Sequence, residues 1–208
     1  CNGNDLKRGD EALRIGDYDR AVANFSKVLD AEPANRDARY GLAIAYYAVA
    51  EDKERLKEST LALWERTVRE FKILSVVDSS EKSKPMYSTA LFYLARAMLA
   101  ENAQAKVMAL LDQSIQLDPE NYFSYNLKAL IMAGHGDIDG AKKIYANIVT
   151  KEPKFASAYV NLGNLYWNAH DYESAWDIWS MGREALPQDA VLAKWTRLAE
   201  DSLKAMVY

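Results

Sequence analysis

The sequence predicts an all-α solenoid of stacked helical hairpins, and three observations carry that prediction. Pro85, Pro119, Pro153 and Pro187 stand 34 residues apart, a fixed period that marks an array of two-helix units. Between these prolines the apolar residues recur at helical spacing, in two stretches per period split by a short polar turn. No segment alternates with the period-two rhythm of a strand.

Composition limits the function classes. Of the 208 residues, 50% are apolar and 27% charged, which suits one water-soluble domain with a sizeable core and argues against disorder. Thirty acidic against 26 basic residues give a net charge of −4. There is no basic run to track phosphates, so no nucleic-acid partner is expected. Polar residues interrupt every apolar stretch before the roughly 18 to 20 residues a membrane-spanning helix requires. A single cysteine excludes an internal disulfide and a Cys-rich zinc site.

The elements follow in chain order as one domain, 1–208. Segment 2–35 contains Gly9, then Gly16-Asp17-Tyr18, Ala21, Phe25 and Pro33, a first hairpin with its turn at the glycine and aspartate. Segment 36–87 opens with a good first helix over 36–50, with Leu42, Ala43 and Tyr46 on its packing face. Pro33 and Pro85 are 52 residues apart, which is 34 plus an insertion of 18. Leu61, Trp64, Val68, Phe71, Leu74 and Val77 recur at helical spacing without Gly or Pro, so the insertion is expected to be one lengthened second helix from about Glu54 to Asp78. An exposed loop over 79–85 should follow. Segments 88–121, 122–155 and 156–189 are one hairpin each. In 190–208, Leu192, Trp195, Leu198 and Leu203 form the apolar stripe of a helix that closes the open end of the array.

The last hairpin reads Ala158-Tyr-Val-Asn-Leu-Gly-Asn-Leu-Tyr-Trp167, then His170-Asp-Tyr-Glu-Ser-Ala175, then Trp179, Gly182 and Pro187. It closely resembles the tetratricopeptide repeat (TPR), and the resemblance covers nearly the whole chain. The family places small residues at repeat positions 8 and 20, where paired helices approach most closely, and a bulky one at position 24. Here these are Ala95, Ala129 and Gly163; Val107, Ala141 and Ala175; Leu111, Tyr145 and Trp179. In the first hairpin Asp5 and Arg8 replace apolar residues of the pattern, so its first helix is expected to be frayed or partly exposed.

The resemblance implies a right-handed superhelix of paired α-helices whose first helices line a concave groove. Groove positions of the family give Tyr40, Ile44 and Tyr47; Phe92 and Arg96; Phe123, Asn126 and Leu130; Val160, Asn164 and Trp167. A protein or peptide partner is the implied ligand: rigid aromatics would take its apolar side chains, Asn126 and Asn164 its backbone, and Arg96 an acidic group. The paired Lys, Asn and Arg with which some members clamp acidic chaperone tails are absent from this sequence. Two other uses stay open: carriage of an apolar small molecule or lipid in the groove, and assembly through the outer helix faces.

Chemistry has little to stand on. His135 and His170 fall in the turns between paired helices with only Asp137 and Asp171 nearby, too few ligands for a metal. The glycines form no phosphate loop, and no nucleophile, base and acid converge. No catalytic residue, metal or cofactor is expected. Cys1, followed by Asn2-Gly3-Asn4, resembles the start of a mature bacterial lipoprotein. That implies a lipid on the thiol and a tether to the bacterial cell envelope.

Overall fold

The structure, a computed structural model, describes residues 2–78, 81–99 and 104–206; Cys1 lies outside these residues, as do Ser79 and Ser80 of the expected loop. Eleven α-helices and a short 3₁₀ turn at Glu81–Ser83 make up the described residues, with no strand among them. They are α1 (Asn2–Arg14), α2 (Tyr18–Ala31), α3 (Arg36–Arg55), α4 (Leu61–Val77), α5 (Lys84–Met98) and α6 (Gln104–Leu117), then α7 (Tyr122–Gly134), α8 (Ile138–Lys151), α9 (Ala156–Asn168), α10 (Tyr172–Ala185) and α11 (Ala190–Met206). The chain divides into two compact units, 1–121 and 122–208. The first holds the hairpins α1/α2, α3/α4 and α5/α6; the second holds α7/α8 and α9/α10, with α11 packed on α10 and α9.

One device sets the hairpin turns. Gly16, Gly136 and His170 each take a positive φ, and the next amide donates back to the carbonyl five residues earlier: Asp17 to Ala12, Asp137 to Met132, Asp171 to Tyr166. This closes the helix with a left-handed residue. The same aspartates then cap the following helix, accepting from the amides of Arg20 (3.2 Å), Gly140 (2.9 Å) and Ser174 (3.1 Å). Asn35 caps α3 and Asp189 caps α11 in the same way.

In the first unit the ring of Phe25 lies between α1 and α3, so close that a Cβ on Gly9 or Gly41 would strike it. Despite its charges, α1 is fully helical over Asn2–Arg14. Asp5 is half-buried and pairs with exposed Arg8 at 3.6 Å. Trp64 stacks on Tyr93 with centroids 4.7 Å apart, and Phe71 on Tyr87 at 5.8 Å. Ser88, Ser114 and Asn121 form a buried hydrogen-bonded knot that ties α5 and α6 to the end of the turn that follows α6. In the second unit, Trp179 fills the gap opposite Gly163, where any Cβ would collide with its indole. Its Nε1 donates to the Val160 carbonyl at 3.3 Å.

Two sequence expectations need correction. The insertion is not one lengthened helix over 54–78, because α3 continues to Arg55 and a turn separates it from α4 at Leu61. The extra length is shared: α3 has 20 residues and α4 17, against 13 and 14 for α1 and α2. The helix stops there because Lys57 takes a left-handed conformation and Glu58 N–H bonds back to the Lys53 carbonyl. In α11 the buried stripe is Leu192, Thr196 and Ala199, whereas Leu198 is exposed. Thr196 can sit inside because its hydroxyl donates to the Leu192 carbonyl at 2.8 Å.

Candidate functional site

The two units treat their candidate groove residues differently. In the first, the chain's own contacts take up most of them, beside an open hollow of about 390 Å³ lined by Glu51, Glu54, Arg55 and Tyr93. Tyr47 is buried, edge-on to Trp64 (5.5 Å) and Phe71 (6.5 Å), and is not a surface aromatic. Burial and the neighbouring Glu51 carboxylate push its hydroxyl pKa well up. Ile44 is half-buried and Tyr40 exposed. Phe92 is half-buried and meets Tyr93 edge-on at 5.2 Å. Arg96, expected to receive an acid from a ligand, lies over the Tyr93 ring at 4.7 Å and is ion-paired with Glu54. The other oxygen of Glu54 accepts from the Thr60 hydroxyl (2.6 Å) and from Trp64 Nε1 (3.1 Å). One carboxylate thus ties α3, the start of α4 and α5 together.

The second unit keeps an open cavity of about 480 Å³ between α7, the start of α8 and α9. Leu130, Ala133, Ile138 and Leu165 give it an apolar floor, and Asn161, Asn164 and Asn168 give it a wall of amides. The asparagines stand at i, i+3 and i+7 of α9, so one face of the helix presents all three. Asn161 is fixed: its Nδ2 donates to Asn126 Oδ1 at 2.9 Å. Tyr145 at the back donates its hydroxyl to the Asn126 carbonyl at 3.4 Å. Burial pushes the Tyr145 pKa up to about 12, against the opposing effect of its hydrogen bond with Asn161, so it stays a neutral donor. No charged side chain lines the cavity.

Of the residues the sequence placed in a groove, Leu130 and Asn164 line this cavity and Asn126 orients its wall. Phe123 is exposed at the start of α7 and touches Phe155 edge-on at 5.2 Å. Val160 is half-buried and occupied through its carbonyl by Trp179. Trp167 packs toward α10, 4.6 Å from Tyr172 and 5.8 Å from Trp179. Sequence reasoning missed Asn161 and Asn168, although three asparagines spaced three and four apart on one helix were a legible signal. The turn histidines hold local contacts: His135 Nδ1 lies 2.7 Å from the Ile131 carbonyl and His170 Nδ1 2.9 Å from the Tyr172 hydroxyl. Among the described residues no cluster of His, Cys, Asp or Glu could hold a metal, and no helix is long and apolar enough to cross a membrane.

Comparison with known proteins bears on the fold. Residues 6–54 match the family model described as tetratricopeptide repeat. The human protein named tetratricopeptide repeat protein 6 is 23% identical over 212 residues, a match covering 85% of this chain and 37% of that protein. The chain therefore spans well under half of that relative's length. The crystal structure of MamA superposes with a TM-score of 0.62 at 21% identity, over 91% of this chain and 93% of that one. That of YrrB, described as a TPR protein with an unusual peptide-binding site, gives 0.61 at 18% identity, over 93% and 90%. Likeness at these identities speaks for the fold alone.

Proposed function

From the premise that the chain is a tetratricopeptide-repeat protein, we propose that it holds a peptide or protein partner at the α7–α9 cavity of its second unit. Proteins of this fold serve in general as interaction scaffolds and not as enzymes, and a scaffold role of that general kind is what the fold supports. The observation that carries the finer reading is the cavity itself, with its apolar floor, amide wall and lack of charge. Such a mixture suits a peptide, whose side chains seek apolar contact while its backbone requires hydrogen bonds. That YrrB, a protein of the same fold, has a peptide-binding site supports this choice of ligand class.

Leu130 is the residue to change, because it is 52% exposed while lining the cavity. An aspartate there places charge on the apolar floor with little damage to the core. The control belongs on the outer face. Lys142 is unsuitable, since its ammonium sits 3.8 Å from the Tyr166 ring centroid; Lys143 is exposed and suits the purpose. Partners captured from the native source by wild type, Leu130→Asp and Lys143→Ala should be compared by mass spectrometry, then measured by calorimetry. Leu130→Asp should lose at least about tenfold in affinity, roughly 1.4 kcal/mol, and Lys143→Ala should match wild type. Equal affinities for all three would place the site elsewhere, and a co-purifying apolar small molecule seated in the cavity would favour carriage over scaffolding.

A further inference from the structure

We propose that two copies of this chain associate through unlike faces, the exposed face of α4 in one copy against the exposed face of α10 in the other. The inference does not depend on the α7–α9 cavity. The second helix of a hairpin buries one stripe and turns the other side to water, so that side should be polar. α2, α6 and α8 follow this rule, with no exposed large apolar side chain on any of them. α4 and α10 break it. Ile73, Val76 and Val77 of α4 are 36%, 83% and 38% exposed, and Trp176 and Met181 of α10 are 37% and 51%. Apolar residues scattered singly over a surface are ordinary, but three at i, i+3 and i+4 make a patch.

The charges around the two apolar sets are opposite. Arg66, Arg69 and Lys72 stand three apart on the exposed side of α4, against one exposed acid, Glu65. Glu173, Asp177 and Glu184 form a stripe at i, i+4 and i+11 of α10, against one exposed base, Arg183. Arg66 lies 6.0 Å over the Tyr46 ring, and Arg183 faces the Glu200 carboxylate. Arg69 and Lys72 form no ion pair with a described residue, and neither do the three acids of α10. Like charges this close on one helix oppose its formation. The helix dipoles do not account for them: the bases of α4 lie before its last turn, and Glu184 sits in the last turn of α10, where an acid is disfavoured. A surface of opposite charge relieves both helices, and a second copy of the chain carries it. Pairing of like faces is excluded, since α4 on α4 would set bases against bases. A helix laid on a helix is small against the roughly 1,600 Å² of a standard interface, so the association is weak and depends on concentration.

The test is sedimentation velocity of the full chain over a range of concentrations, at low and at high salt. Wild type should associate as concentration rises, and less so at high salt. Arg69→Glu and Asp177→Lys alter exposed side chains, so each should keep the wild-type circular dichroism while its self-association weakens at least about tenfold. Mixed in equal amounts, the two variants should associate again, because the intact α10 face of the first meets the intact α4 face of the second. Leu130→Asp, which alters only the cavity, should associate as wild type does. A wild type that stays monomeric at high concentration would overturn the proposal, and if it sedimented instead with vesicles of anionic phospholipid, α4 would face a membrane surface. Single variants that associate as wild type, or a mixture that does not recover, would overturn the pairing of α4 with α10. Loss of association in Leu130→Asp would move the contact to the cavity.

Discussion

His170 does at its turn what Gly16 and Gly136 do at theirs, holding a left-handed backbone with φ of 60°. A side chain in that region costs about 1 to 2 kcal/mol relative to glycine, partly offset by the greater freedom glycine gives the unfolded chain. His170→Gly should therefore stabilise the protein by about 0.5 to 1 kcal/mol in denaturant unfolding, and Gly136→Ala should destabilise it by a similar amount. Gly163 is held for a different reason: an added Cβ would meet the Trp179 indole. Since overpacking a core costs typically 1 to 3 kcal/mol and more where nothing can shift, Gly163→Leu should lower the thermal midpoint by several degrees or more. A wild-type midpoint would show that α9 and α10 do not pack as described. Both positions were legible in the sequence, His170 from its place in the polar turn between paired helices and Gly163 as a small residue at the repeat's small site. The fate of Tyr47 was not, because a repeat position fixes the face of a helix but not what inserted residues will cover it.

At the scale of elements, the insertion shows how periodicity misleads. The apolar rhythm from Leu61 to Val77 is continuous and α4 forms there, but nothing in that rhythm marks the break between Arg55 and Leu61. The break depends on Glu54 turning inward to Thr60, Trp64 and Arg96, and on Lys57 accepting a conformation more often given to glycine. Glu54→Ala should loosen three helices at once, leaving Trp64 Nε1 without its acceptor inside the core. Its cost should be about 1 to 3 kcal/mol, mostly from that unsatisfied donor. The exposed Arg96 side of the contact should contribute little. Denaturant unfolding followed by tryptophan fluorescence would measure it, and unchanged stability would mean that packing alone holds the α3–α4 turn.

For the whole molecule, the all-α class and the hairpin period were legible because a spacing of 34 residues survives wherever small and large residues must alternate at the helix contacts. The candidate site was legible only in part. Leu130 and Asn164 were visible as positions on first helices, but aromatic content pointed equally to Tyr47 and Trp167, which the chain uses for its own packing. A ring is valuable to a core and to a partner alike, so its type cannot say which will claim it. An amide on a half-open face has fewer uses within the chain, and it is the asparagines that mark the cavity. Binding on α7 and α9, as proposed, would show in hydrogen–deuterium exchange of the full chain with and without its captured partner. Protection should rise in peptides covering Tyr122–Gly134 and Ala156–Asn168, with the hairpins of residues 2–99 unchanged; protection confined to α8, α10 or the first unit would contradict it.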